Sequence, residues 1–173
     1  MGRRGKIMDI LDFMEKAIRV EEILSECYRA LSTQCEPRLV ARMTGFSVDE
    51  VNHERILDLG KAFIASTPDL FGTAAMPEGG LDDGLRALRP LHEAIRSAHS
   101  GWQENLENLR ELEMSLEQVH LAASTAIRDP TLRALFKGLS AGSQNHAAAL
   151  EGILNEVPGP QPSAPAFSAA EGI

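Results

Sequence analysis

The chain has 173 residues, enough for one domain with a sizeable core, and its supply of Ala, Leu, Glu and Arg with few β-branched residues is that of a helical protein. A formal net charge of -8 and the lack of a Lys/Arg cluster beyond the short basic start Met1 to Lys6 argue against a phosphate-binding surface, so no nucleic-acid partner is expected. No apolar run approaches the roughly 20 residues that span a bilayer, and the N-terminus has no signal-peptide stretch, so a cytoplasmic protein without a membrane partner is expected.

Four segments repeat apolar residues at helical spacing: about Ile7 to Thr33, Pro37 to Ser66, Trp102 to Arg128 and Pro130 to Glu156. Short links containing Glu36-Pro37 and Asp129-Pro130 place an acidic N-cap before Pro at the first helical position, which makes each pair an antiparallel hairpin. Between the hairpins, Thr67 to Gly84 is rich in Gly and Pro, and Leu85 to His99 reads as an extra helix interrupted or started near Pro90. The expected architecture is all-α, an antiparallel four-helix bundle with a long crossover, over residues 1–157; residues 158–173, rich in Pro and Ala, are expected to be a disordered tail. Cys27 and Cys35 form no C-x-x-C pair, and Cys27 is expected in the core or on its flank.

The two hairpins read as copies of each other. Pro37 and Pro130 are 93 residues apart, as are His53 and His146, while Glu21 and Glu113, and Tyr28 and His120, are 92 apart.

Core-facing positions in a bundle recur at alternating steps of three and four. On the first helix these are Ile10, Met14, Ala17, Glu21, Leu24, Tyr28 and Leu31, and on the second Met43, Phe46, Glu50, His53, Leu57 and Gly60. The third gives Trp102, Leu106, Leu109, Glu113, Leu116, His120, Ala123 and Ile127, and the fourth Leu132, Phe136, Leu139, Ser143, His146, Leu150 and Ile153. Glu21, Glu50, His53, Glu113 and His146 therefore fall near the middle of their helices and on the inward stripe. Three buried carboxylates without a counter-charge would cost several kcal/mol or take up protons. Divalent cations would neutralise them and use the same oxygens and imidazole nitrogens as ligands.

With these residues the chain resembles the ferritin-like superfamily, and within it the rubrerythrin-like diiron-carboxylate proteins. The resemblance implies one Glu on each of helices one and three, and Glu-x-x-His on helices two and four, holding two iron or manganese ions. By position Glu21 and Glu113 would be terminal carboxylates, Glu50 a bridge, and His53 and His146 one imidazole per ion. Tyr28 matches a tyrosine that orients a carboxylate in that family, and His120 holds the duplicate slot, either behind the ligands in the same way or as a satisfied core histidine.

Three departures bear on function, the first being Leu116, which stands where rubrerythrins carry an additional Glu three residues after the helix-three ligand. Ser143 stands where the second bridging Glu belongs, and the paired C-x-x-C motifs of a rubredoxin domain are missing from the sequence. The implied activity is that of a non-haem iron protein reacting with O2 or peroxide, with two iron ions, or one if Ser143 weakens the site, and Mn or Zn as other occupants. The alternative is a bundle with a degenerate metal site that serves as a binding or assembly module. A homodimer is expected. His92 and His99 are expected at the surface, and Trp102 and the Met residues in the core.

Overall fold

The computed structural model describes residues 9–67, 76 and 79–156, so the tail expected at 158–173 lies outside the described residues. Among the described residues five α-helices follow one another: α1 Ile10–Leu31, α2 Val40–Ser66, α3 Gly80–Arg96, α4 Trp102–Ala126 and α5 Pro130–Glu156, with a 3-10 turn at Pro37–Leu39 before α2. Asp9 caps α1 by accepting a hydrogen bond from the Leu11 N–H, and Asp129 accepts one from the Leu132 N–H at the start of α5, so both termini satisfy backbone donors that lack intrahelical partners. The second helix differs from expectation at its start, where Pro37 opens a 3-10 turn and α-geometry begins only at Val40.

The inward stripe accounts for the core. Every seam position of α1 and α5 is buried, and on α2 and α4 only Phe46, His53 and Trp102 are half-buried. α1 also buries Phe13, Val20, Ile23 and Cys27, because it packs against α2 and α3 at once. α4 pairs with α5, α3 bridges α1 and α4, and α2 meets α5. Among the methionines, Met14, Met43 and Met76 are core residues as expected, whereas Met114 is half exposed; its position lies off the α4 stripe.

The extra helix starts five residues earlier than the sequence suggests and runs through Pro90. Gly80 reads as loop but is required inside the helix by a close approach: a Cβ there would lie 2.5 Å from Val119 Cγ2. Pro90 is exposed, so the carbonyl that loses its N–H partner can be solvated. Leu81, Leu88 and Ile95 bury one face, and Lys16 to Asp82 at 2.8 Å and Gln34 Nε2 donating to the Ile95 carbonyl at 2.6 Å join α3 to the first hairpin. His92 is half-buried, not a surface residue as expected, with Nε2 3.1 Å from Glu26; His99 is exposed.

The duplication extends to the cross-links that set helix register. Ser47 Oγ donates to the Ser25 carbonyl at 3.0 Å, and at the duplicate positions Ser140 Oγ donates to the Glu117 carbonyl at 3.2 Å. Each hairpin is thus pinned at the same depth by the same bond, which brings the polar seam residues of its two helices level. Among the described residues no helix is long and apolar enough to cross a membrane.

Candidate metal centre

Glu21, Glu50 and Glu113 are 2 %, 1 % and 1 % exposed, on three different helices. Glu50 lies between the two imidazoles: its Oε2 is 2.7 Å from His53 Nδ1 and its Oε1 is 2.8 Å from His146 Nδ1. Each imidazole also faces a second carboxylate, His53 Nδ1 lying 3.5 Å from Glu21 Oε2 and His146 Nδ1 lying 3.4 Å from Glu113 Oε1. Two half-sites result, Glu21–Glu50–His53 and Glu50–Glu113–His146, each with ligand atoms within 4.8 Å of one another and with Glu50 common to both. All five residues expected as ligands are therefore brought together.

Comparison of the chain with protein families, with curated proteins and with solved structures finds no match. The chemistry of the centre rests on its own geometry.

Burial and mutual proximity set the charges. Desolvation, reinforced by Glu50, raises the Glu21 carboxyl to about 7. Burial pulls the imidazoles down, but the carboxylates of Glu21 and Glu50 beside it carry His53 up to about 10, and those of Glu113 and Glu50 beside it carry His146 up to about 11. In the metal-free protein the neighbouring carboxylates thus favour a proton on each ring, while burial favours one on Glu21 as neutral pH is approached.

The half-sites differ in how well protons satisfy them. His53 Nδ1 and Glu50 Oε2 form a hydrogen bond. Glu50 Oε1 and His146 Nδ1 lie just as close, yet neither has a hydrogen-bond partner, and Glu113 Oε2 is a further orphan. Close approach without hydrogen-bond alignment is what ligand atoms aimed at a common cation show, and buried polar atoms left unpaired otherwise cost about 1–3 kcal/mol each. Two carboxylates and one imidazole per half are an O/N donor set suited to iron, manganese or zinc. The residues present fit a pair of divalent ions.

The supporting groups repeat the duplication. Tyr28 Oη donates to Glu113 Oε1 at 2.8 Å, and at the duplicate position His120 Nε2 lies 3.7 Å from Glu21 Oε1. Burial lowers His120 despite the Glu21 charge, so it is a neutral ring beside that carboxylate. Ser143, the duplicate of Glu50, is buried one turn before His146. Phe46 packs at a tilt against both Tyr28 and His146, with ring centroids 5.2 and 4.9 Å away. Removing the phenol by Tyr28→Phe frees Glu113 to rotate, and a roughly tenfold loss of metal affinity with the fold retained is expected by equilibrium dialysis.

Two residues escape the sequence reading. Asp49 Oδ2 lies 3.4 Å from His146 Nε2, where it holds the outer nitrogen and turns Nδ1 inward. Gly142 is the seat of His53: a Cβ there would stand 2.6 Å from Cε1 and 2.8 Å from Nε2 of that ring.

Proposed function

We propose that this protein is a ferritin-like metal protein, in which α1, α2, α4 and α5 form an antiparallel four-helix bundle with α3 added along the crossover, and that its centre holds two iron ions for chemistry with O2 or peroxide. The observation that carries the reading is the placement of Glu50, whose two oxygens each face a different imidazole backed by its own further carboxylate. Bound iron would supply the redox chemistry. The chain supplies the rest. Glu21 and Glu113 each close one half, Glu50 joins them, Tyr28 and Asp49 fix two of the ligands in place, and Phe46 with Tyr28 keeps bulk water from the His146 side. Three carboxylates and two neutral imidazoles leave one net positive charge around two divalent ions, which favours an anionic oxygen ligand. Ser143 has this effect, since a Glu there would cancel the charge.

A homodimer fits the exposed apolar side chains Val48, Ile56 and Leu59 on α2. A second reading, a bundle whose decayed site serves binding or assembly, is favoured by Ser143 alone. Anaerobic loading with ferrous iron followed by O2 or peroxide separates the two: oxidant consumed in proportion to bound iron supports the first, and bound iron inert to both oxidants supports the second.

Metal uptake must displace the protons on His53 and His146, which sit at about 10 and 11, because only the neutral ring offers a lone pair. Both are bound to protons at pH 7, so affinity rises with pH. A release of between two and three protons per loaded centre at pH 7, where Glu21 adds to the two rings, falling to about two by pH 9, and a gain of about 100-fold or somewhat more in overall affinity per pH unit across that range, are expected from calorimetry in buffers of different ionisation enthalpy. An affinity independent of pH in that range would contradict the assignment of both rings as ligands.

A further inference from the structure

A cleft of about 430 Å3 opens between α2 and α5, lined in part by Gly45, Phe46, Asp49, Ala149, Gly152 and Glu156. Its floor is one side chain from the centre, since Phe46 and Asp49 both touch His146. Its width comes from small residues: a Cβ at Gly45 or at Gly152 would meet nothing within 4 Å.

The duplication offers the same place a second time, and there the chain has built the opposite. The duplicates of Ala149, Gly152 and Glu156 are Ile56, Leu59 and Phe63, three large apolar side chains. The duplicate of Asp49 is Gly142, and the ring of His53 covers it. One cleft therefore carries a carboxylate beside His146, while the duplicate positions carry exposed apolar side chains and a glycine in place of that carboxylate. Within the open cleft Arg42 answers Glu156 at 3.5 Å, and Asp49, 57 % exposed, presents its charge to solvent from beside a ligand.

We propose that this cleft is the port by which divalent cations reach the centre, with Asp49 drawing the ion in and the Phe46 ring closing the inner end; this rests on the metal-centre reading above. A carboxylate facing solvent in a cleft that ends at the ligands raises the local cation concentration and hence the rate of capture. The duplicate cleft, without that carboxylate, carries no comparable flux.

Stopped-flow mixing of the full chain with Co2+, followed by its visible absorption, tests the port. Gly45→Leu and Gly152→Leu each put a side chain into open space and replace a helix-interior Gly with a better helix former, so the fold is kept. Both plugs are expected to slow uptake at least about tenfold while the final cobalt stoichiometry stays that of the wild-type chain, and Asp49→Asn, which also loosens His146, is expected to slow uptake and to weaken binding. Gly138→Leu, the duplicate of Gly45 and equally unobstructed, is expected to load at the wild-type rate. Equal rates in all four variants and the wild type, or an equal slowing by Gly138→Leu, would overturn the port while leaving the centre standing. A wild-type chain that takes up no cobalt would overturn the centre and the port with it.

Discussion

Glu50→Gln is expected to empty both halves of the centre at once. Its two oxygens serve different imidazoles, so a neutral amide that keeps the shape removes a ligand from each half, whereas Glu21→Gln or Glu113→Gln touches one half only. A fall in affinity of about 100-fold or more at both sites is expected from cobalt titration, against loss of a single site in the other two variants. The same substitution costs stability in the metal-free protein. At pH 7 His53 and His146 are buried or half-buried cations, and without the charge between them the pair is under-compensated, which lowers the unfolding free energy by about 3 kcal/mol. Thermal melts of the metal-free variant read that loss, and a variant that binds two equivalents with wild-type affinity would remove the bridge from the scheme.

Gly142→Ala separates the halves in the other way. The new methyl would lie 2.6 Å from Cε1 of His53, well inside contact distance, so the ring must leave its seat. Loss of about 10–100-fold in affinity is expected at the Glu21–Glu50–His53 half, with the Glu50–Glu113–His146 half unchanged, so that a titration with one class of sites becomes one with two. Helix propensity works in the opposite direction, since Ala is better than Gly by about 1 kcal/mol in a helix interior. Leaving the seat also breaks the His53–Glu50 hydrogen bond, which outweighs the helix gain, so the variant is expected to melt below wild type without metal as well as to bind metal less well. Gly138→Ala, where the methyl meets nothing, should gain the stability and keep both sites.

Periodicity made most of this centre legible. A carboxylate or imidazole standing on the apolar stripe of each helix is a local signal, and repetition at offsets of 92 and 93 residues sets the helices in register. Asp49 and Gly142 gave no such signal. Asp49 adjoins Glu50 and looks like one more solvated carboxylate, because its imidazole partner is 97 residues away on another helix. Gly142 looks like a weak point in α5, because its purpose is space for a ring that α2 supplies. The start of α3 failed for the same reason: Gly80 is dictated by Val119, a contact that no local pattern carries. His92 was misplaced because an imidazole paired across helices with Glu26 has the same local surroundings as one in water.

In the proposed centre, buried carboxylates and imidazoles from α1, α2, α4 and α5 bind metal as a pair of linked sites. Elemental analysis of the purified protein after loading with ferrous iron under anaerobic conditions and removal of loosely held metal tests it most directly. Close to two iron ions per chain are expected, falling to near zero in Glu50→Gln and near one in Glu113→Gln. No retained metal in the wild-type chain, or equal content in all three proteins, would contradict it.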